Sequence, residues 1–291
     1  MILPVASLTN LLLFGAMTDY TFTKTSLNNI NFAEHIIGEG EPILLLHGWG
    51  ANIGLLMPLA ERLAKKGYRC YMLDMLGFGE SDEPPQAWTV YDYTNFIIDY
   101  LDMHNLDSVY LFGHSFGGRL SLILGSQHSQ RIKKIALSDS AGIKPKAPFW
   151  SSLRLSSYKT IRDGLYKIGL SSLADSLREQ YNQRYGSSDF QQVSGVMRQT
   201  FINVVNEDLL PLASQVKVST LLFWGDKDED TPLWMGQKLE QEIPDAGLVI
   251  HEGAGHYAYL EKADETARVM DYFFKQTTLV DHDSTSKTIN S

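Results

Sequence analysis

The chain has 291 residues, 44% of them hydrophobic and 20% charged, which is the composition of a soluble globular protein with one large or two small domains. Its formal net charge of −9, without any basic run, excludes nucleic acid as an expected partner and disfavours acidic polymers as substrates. Cys70 is the only cysteine, so an internal disulfide is excluded, and no metal-binding motif is present. We therefore expect no metal and no cofactor.

Residues 1–16 differ in character from the rest of the chain. The stretch 8–17 is apolar, but no Lys or Arg precedes it, and it is too short to span a bilayer. We interpret residues 1–16 as an upstream extension, with Met17 as the true start of a cytoplasmic protein; a loosely held membrane anchor is the alternative. A chain that begins at Met17 is expected to stay active and to lose less than about 5 °C in melting temperature, which calorimetry would measure.

From residue 20 onward, predicted strands alternate with predicted helices. The uninterrupted apolar run 43–46 is typical of a strand buried on both faces of a parallel sheet, and Thr89 with Asp92 has the spacing of a capping box. Such alternation predicts an α/β fold, with a mostly parallel central sheet and helices on both faces. The predicted strands are 20–25, 31–36, 43–46, 69–73, 109–112, 132–138, 216–224 and 247–251, and the predicted helices are 53–66, 89–105, 117–125 and 264–274.

The alternation stops between residues 141 and 215, where helical stretches rich in Tyr, Leu and Ser take the place of strands. We interpret this segment as a helical lid over one end of the sheet; two extra crossover helices without a lid role are the alternative. The chain then divides into an apolar extension 1–16, a core 17–140, the lid 141–215, a second part of the core 216–276 and a polar tail 277–291.

The strongest chemical signal is the sequence Gly-His-Ser-Phe-Gly centred on Ser115, between strand 109–112 and helix 117–125. A sharp strand-to-helix turn forces its central residue into a strained backbone conformation, and a glycine on either side leaves room for the crossing chain. The Ser115 hydroxyl then projects from the turn beside the free N–H groups of the helix start. This spacing is that of a nucleophile elbow.

A serine hydroxyl needs a base, and the base needs an orienting acid. His256, framed by glycines after the last predicted strand, can supply the base. Asp226, Asp228 and Asp230 follow strand 216–224, and Asp139 follows strand 132–138. We expect Asp226 to accept hydrogen bonds from its own loop and Asp230 to cap the next helix, which leaves two candidate acids.

Taken together, these motifs resemble those of the α/β-hydrolase superfamily over about residues 43–274. The matching motifs are His47-Gly48-Trp49, Asp74-x-x-Gly77-x-Gly79-x-Ser81, Gly113-His114-Ser115-Phe116-Gly117, Gly225-Asp226-Lys227-Asp228 and Gly255-His256. The resemblance implies the α/β-hydrolase fold and its serine-nucleophile branch, because dehalogenase and epoxide hydrolase relatives carry an aspartate at the elbow. It also implies Asp228 as the acid, although some relatives place the acid where Asp139 stands.

Carried onto this chain, the resemblance implies that Ser115 attacks an acyl carbon, His256 shuttles the proton and Asp228 fixes the imidazole tautomer. It implies an oxyanion hole made by the backbone N–H groups of Trp49 and Phe116. The expected function is a cofactor-independent serine hydrolase of small, largely apolar esters or related acyl compounds. A carbon–carbon bond hydrolase with the same triad, or a small-molecule-binding relative with little turnover, is the alternative.

Four further residues are given supporting roles. His47 is expected to hold the oxyanion loop by hydrogen bonds, Asp74 to cap N–H groups of its turn, and His114 to point away from the nucleophile. Arg198 could meet a substrate carboxylate, though most such arginines are solvated. Some of the apolar lid residues are expected to face Ser115, namely members of the set Phe149, Trp150, Tyr158, Tyr166, Met197 and Phe201.

Overall fold

The computed structural model describes residues 21–144, 149–185 and 188–276, and an eight-stranded sheet forms its centre. The strands are β1 (Thr23–Leu27), β2 (Ile30–Ile37), β3 (Glu41–Leu46), β4 (Tyr68–Leu73), β5 (Val109–His114), β6 (Ile132–Ser138), β7 (Thr220–Gly225) and β8 (Ala246–His251). Their order across the sheet is β1-β2-β4-β3-β5-β6-β7-β8. Only the β1–β2 and β2–β4 pairs are antiparallel, so the predicted mostly parallel sheet is confirmed.

The helices of the described ranges surround this sheet. They are α1 (Ile53–Ala64), α2 (Val90–Met103), α3 (Phe116–Gln127), α4 (Phe149–Lys167), α5 (Ser171–Tyr185), α6 (Ser188–Gln192), α7 (Gly195–Asn206), α8 (Leu210–Ala213), α9 (Leu233–Glu242), α10 (Ala258–Glu261) and α11 (Ala263–Lys275). The capping box predicted at Thr89 and Asp92 is present and begins α2. The sequence analysis expects a helix after Asp230 without giving its range, and α9 begins there at Leu233; its interior Gly236, which packs directly on the Trp224 ring, interrupts the apolar pattern.

Side-chain alternation along β3 builds a core on each face of the sheet. Leu44 and Leu46 pack with apolar residues of α2, α3 and α9, whereas Ile43 and Leu45 pack with those of α1 and α11. All four side chains are fully buried. A strand that is covered on both faces reads as a continuous apolar run, which is why residues 43–46 could be assigned from sequence.

Strand β7 begins at Thr220, four residues after the start of the predicted strand 216–224. Val216 is nevertheless buried, because it packs beside α3 in a loop whose Lys217 N–H donates to the Gly125 carbonyl. An apolar run alone does not separate a buried loop from a buried strand, so this predicted boundary is wrong.

Between β6 and β7, helices α4 to α8 occupy the described part of residues 141–215. We call this stretch the helical insertion. Within it, α4 and α5 pack against each other as a hairpin. Across the described ranges, no helix is both long and apolar enough to cross a membrane. The predicted extension 1–16 and tail 277–291 lie outside the described residues.

The elbow glycine Gly117 gives a prediction about stability. A Cβ at this position would overlap the carbonyl oxygen of Leu46 in β3 and lie 2.7 Å from its carbonyl carbon. We expect Gly117→Ala to lower the free energy of unfolding by about 1–3 kcal/mol, as overpacking does in a core that cannot yield. In the control Gly164→Ala, within α4, a Cβ meets no atom within 4 Å, and stability should stay equal or rise by up to about 1 kcal/mol. Urea unfolding measures both, and two equally stable variants would contradict the prediction.

Candidate active site

Ser115 occupies the turn between β5 and α3 with φ 49° and ψ −105°. This backbone conformation costs of order 1–3 kcal/mol in a residue with a side chain, so its surroundings must impose it. The Ser115 N–H donates to the Ser138 carbonyl at 3.2 Å, and the Ser115 carbonyl accepts from the Ala141 N–H at 3.1 Å. The Gly117 N–H donates to the His47 carbonyl at 3.1 Å. Strands on both sides of β5 therefore hold the turn.

Ser115, His256 and Asp228 lie in a line of hydrogen bonds. Ser115 Oγ is 3.0 Å from His256 Nε2, and His256 Nδ1 is 2.9 Å from Asp228 Oδ2. Asp228 follows β7 and His256 follows β8, so the three residues meet at the carboxyl edge of the parallel strands. The arrangement can move a proton from a hydroxyl to an imidazole whose other nitrogen faces a carboxylate.

Thr231 holds Asp228 in place, a role that the sequence analysis does not identify. Asp228 Oδ1 accepts from the N–H groups of Asp230 at 2.8 Å and Thr231 at 2.9 Å. The Thr231 hydroxyl lies 2.6 Å from Asp228 Oδ2 and 3.0 Å from the Asp139 carbonyl oxygen. An aspartate two or three residues before the groups it binds is a local Asx-turn signal, and that signal could have pointed to Thr231.

For both His256 and Asp228, hydrogen bonds and nearby charges together shift the pKa more than burial does. Burial by itself lowers the pKa of His256. The hydrogen bond and the charge of Asp228 act in the opposite direction, and the resulting pKa is about 9. Burial also raises the pKa of Asp228, yet hydrogen bonds with His256 and Thr231 hold it below its usual range. Asp228 is therefore ionised at neutral pH, and its charge makes His256 a stronger base.

Asp139, the other candidate acid, lies beneath the site without touching the imidazole. Its Oδ1 accepts from the Gly225 N–H at 2.9 Å, and its Oδ2 accepts from the Ala258 N–H at 3.1 Å and the Ser138 hydroxyl at 2.7 Å. Burial raises its pKa to about 8. Asp139 thus joins the loops after β7 and β8 rather than orienting His256.

The sequence analysis is partly right about Asp226 and wrong about Asp230. Asp226 accepts from its own N–H, as predicted, but also from the Gly253 N–H at 2.6 Å in the next loop. Asp230 does not cap α9, because Pro232 is the N-cap residue and no side chain caps that helix. The Asp230 N–H donates to Asp228 in its own turn, and the helix begins only at Leu233, three residues after Asp230. Asp230 instead lines the cavity above the serine.

The two predicted oxyanion donors border the same cavity. Phe116 is the first residue of α3, where an N–H has no partner inside the helix. Among the described residues, no oxygen accepts a hydrogen bond from the N–H of Trp49 or Phe116. His47 anchors the Trp49 loop as predicted, since its Nδ1 donates to the Gly48 carbonyl at 2.7 Å and its Nε2 accepts from the Met75 N–H at 2.9 Å. Both N–H groups are thus available to an anionic oxygen.

Asp74 and His114 support the site from below. Asp74 accepts from the N–H groups of Ile53 at 2.8 Å and Glu80 at 2.9 Å, which is its predicted capping role. Nε2 of His114 lies 2.8 Å from the His256 carbonyl oxygen, and the two rings are 5.0 Å apart. Burial lowers the pKa of His114 to about 3, so it is neutral and donates this hydrogen bond. His114 thereby holds the His256 loop and does not act on Ser115.

A cavity of about 540 Å³ opens above Ser115, a volume that suits a small organic substrate. Aromatic and aliphatic side chains share its walls, and Trp49 packs edge to face with Phe116 and Phe201. The lining also includes three charged residues, Arg119, Asp189 and Asp230. The sequence analysis identifies neither Arg119 nor Asp189 as a site residue.

Of the predicted lining residues whose side chains the structure describes, Phe201 is the one confirmed. Met197 packs against Gly77 instead, Tyr158 lines a separate cavity, and Tyr166 is 38% exposed. The side chains of Phe149 and Trp150 lie outside the described residues. Arg198 also lies away from Ser115, because it borders the cavity that contains Tyr158.

Within the described ranges, the one set of side chains with the spacing of metal ligands is Asp228, Asp230 and His256, whose donor atoms lie within 4.8 Å of one another. Two of those atoms already bond each other, and Asp228 Oδ1 accepts two N–H groups. The donor set is therefore arranged for proton transfer rather than for a cation.

Comparison with known proteins identifies relatives over most of the chain. Residues 41–263 match the family model described as alpha/beta hydrolase fold. Lipase 1 of Psychrobacter immobilis is 28% identical over 272 residues, which cover 85% of this chain and 81% of the lipase. The 2-hydroxymuconate semialdehyde hydrolase of Pseudomonas putida is 27% identical over 259 residues, which cover 83% of this chain and 90% of that enzyme. A meta-cleavage product hydrolase structure from Pseudomonas fluorescens has a TM-score of 0.65 at 23% identity and covers 87% of this chain and 97% of its own.

Proposed function

The chain belongs to the alpha/beta hydrolase fold family, and from that premise we propose that it hydrolyses small, largely apolar esters or related acyl compounds through Ser115, His256 and Asp228. One observation carries the proposal. The hydrogen-bonded line of these three side chains ends at Ser115 Oγ, which lines a cavity whose walls include aromatic and aliphatic side chains. An alcohol nucleophile with an oriented base and an acyl-sized cavity is the requirement for acyl transfer.

In the first half of the reaction, Ser115 Oγ attacks the acyl carbon while His256 Nε2 takes the hydroxyl proton. The negative charge that develops on the carbonyl oxygen is stabilised by the N–H groups of Trp49 and Phe116. The tetrahedral intermediate then collapses, the bond to the alcohol oxygen breaks, and His256 gives the proton to the departing alcohol. An acyl-enzyme ester on Ser115 remains.

In the second half, a water molecule attacks the acyl carbon and His256 Nε2 takes its proton. The acid leaves when the proton returns to Ser115 Oγ. Throughout both halves, Asp228 keeps the proton of the neutral imidazole on Nδ1 and stabilises the imidazolium that forms transiently. Net turnover consumes one water and releases one alcohol and one acid, with no other reactant.

A second candidate is hydrolysis of a carbon–carbon bond by the same triad. Arg119 favours it, because this buried arginine lines the cavity and burial lowers its pKa only to about 10, which leaves it charged at neutral pH. A cation suits an anionic substrate such as the one in the name of the Pseudomonas putida relative. Asp189 and Asp230 line the same cavity and oppose an anion, so an uncharged ester remains the first proposal.

Parallel assays with p-nitrophenyl butyrate and 2-hydroxymuconate semialdehyde separate the candidates. We expect turnover of the butyrate ester and little or none of the semialdehyde. The reverse ratio would favour the carbon–carbon bond hydrolase, and no turnover of either compound would favour a binding protein. The Ser115→Ala variant, which should be inactive in both assays, controls for spontaneous hydrolysis.

The pKa of His256 predicts the pH dependence. His256 acts as a base only when neutral, and its raised pKa of about 9 means that the neutral fraction falls as the pH drops below 9. We expect kcat/KM for p-nitrophenyl butyrate to rise by about tenfold per pH unit from pH 7 toward 9 and then to level off. In Asp228→Asn, which loses the charge that raises the pKa, the midpoint should move to lower pH. A wild-type midpoint at or below 6.5 would contradict the assignment.

A further inference from the structure

A second cavity, of about 450 Å³, lies within the helical insertion between α4, α5 and α7. On α4 the lining residues follow a spacing of three, four and seven, which puts them on one face of the helix, and α7 repeats this spacing. None of the residues that line this cavity lines the catalytic cavity. The side chains that the argument uses are Tyr158, Lys159 and Arg162 of α4, Arg178 and Tyr181 of α5, and Arg198 of α7.

The charges around this second cavity are one-sided. Four cationic side chains line it, and no carboxylate among the described residues does. Arg162 pairs with Asp163 at 2.7 Å, and Arg178 pairs with Asp175 at 3.0 Å. Within the described ranges, neither Lys159 nor Arg198 lies within 4 Å of a carboxylate.

The sequence at the start of α4 and around the end of α5 adds no carboxylate. Residues 145–153 and 182–188 contain no Asp or Glu. Among the residues that the structure describes, Lys159 and Arg198 thus have no carboxylate partner, in a chain whose net charge is −9. Because like charges around a confined volume repel one another, an anion placed there gains favourable interactions with both.

The aromatic rings define the shape of the ligand. Tyr158 and Tyr181 stack with centroids 3.9 Å apart, and the Arg162 guanidinium lies 5.5 Å from the Tyr158 centroid. The Arg198 guanidinium lies over Phe190 at 5.1 Å, and its Nε donates to the Val193 carbonyl at 3.1 Å. Its Nη groups meet no protein acceptor in the described ranges. Flat rings and planar guanidinium groups favour a flat ligand that carries its charge at one edge.

Lys159 and Arg178 are exposed to solvent, but three helices turn cations and rings toward one open cavity of ligand size. We propose that this cavity of the helical insertion binds an organic anion with a flat apolar body, such as an aryl carboxylate, sulfonate or phosphate monoester. The site is separate from the catalytic cavity, since the two cavities share no lining residue.

Calorimetric titration of the full chain with 2-naphthoate and with its uncharged analogue 2-naphthamide tests this site. We expect the naphthoate to bind and the amide to bind at least about tenfold more weakly, because only the naphthoate makes charge-assisted hydrogen bonds. Lys159→Gln and Arg198→Gln should each weaken naphthoate binding by about tenfold. Arg198→Lys, which keeps the charge, should retain most of it and guards against a folding defect in the glutamine variant.

Lys167→Gln, an exposed cation of the same α4 that does not line the cavity, is the matched control and should bind naphthoate as the unmodified chain does. The affinity should also fall as sodium chloride is raised. Equal affinity for the acid and the amide, or the absence of binding, would overturn the proposal. So would naphthoate binding that survives both glutamine variants but is lost in Arg119→Gln, because the anion would then occupy the catalytic cavity.

Discussion

Ser115→Ala is expected to lower kcat for p-nitrophenyl butyrate by about four to six orders of magnitude while the chain keeps its fold. Among the described residues, the serine side chain hydrogen-bonds only to His256 Nε2, so its loss removes the nucleophile without breaking a structural contact. Alanine meets the same backbone strain as serine at φ 49°, and the hydrogen bonds that impose the turn come from the main chain. The residual rate would come from the oxyanion donors and the cavity.

Ser126→Ala is the matched control for this experiment. Ser126 lies in α3, behind the elbow, and its hydroxyl donates to the Leu122 carbonyl at 2.8 Å, away from the cavity. This variant should keep wild-type kcat within about twofold. Thermal unfolding of both variants checks the fold. A folded Ser115→Ala variant with kcat near that of the unmodified chain would contradict the mechanism.

Asp228→Asn is expected to lower kcat by about four orders of magnitude, the size of the effect known for an asparagine at the acid position of a serine protease. Asp228 Oδ1 accepts two backbone N–H groups, so the single oxygen of asparagine must take that side. Its amide NH₂ then faces His256 Nδ1 and forces the imidazole proton onto Nε2. An imidazole in that tautomer cannot take the proton from Ser115. The same assay measures the loss, and circular dichroism checks the fold.

Asp139→Asn, assayed beside it, decides between the two candidate acids. Both Asp139 oxygens accept hydrogen bonds, including backbone ones from Gly225 and Ala258, so an asparagine leaves an NH₂ group facing a donor. We expect lower stability and a loss in kcat far smaller than that of Asp228→Asn, since Asp139 does not contact the imidazole. Asp226→Asn and Asp230→Asn should change kcat little. If Asp228→Asn kept most of its activity while Asp139→Asn lost it, the acid of the triad would be Asp139, which follows β6.

Much of the fold could be predicted because its signals are local. Strand β6 was predicted at 132–138 and is found there, since a strand buried on both faces is a plain apolar run between turns. The elbow was predictable for a similar reason. Its glycines are required by contacts that the turn makes with its immediate neighbours, as the clash of a Gly117 Cβ with the β3 backbone illustrates.

The other features of the site depend on contacts between segments that are far apart in the chain. The spacing of residue types along the sequence does not predict such contacts. Asp189 reaches the cavity from α6, a helix whose position is set by packing of the insertion. From the residues alone, Asp228 and Asp139 remained equivalent as acids, and only the resemblance to a family separated them. Thr231 was missed because its role follows from the fold of a single loop around Asp228.

Reaction of the intact chain with a fluorophosphonate, followed by peptide mass spectrometry, tests the central claim most directly. The reagent requires a serine that an oriented imidazole activates and an oxyanion site that accepts the phosphonyl oxygen. We predict one adduct, on Ser115, formed in step with the loss of activity toward p-nitrophenyl butyrate and absent from Ser115→Ala. An adduct on another residue, or full activity in a chain stoichiometrically labelled at Ser115, would contradict the account.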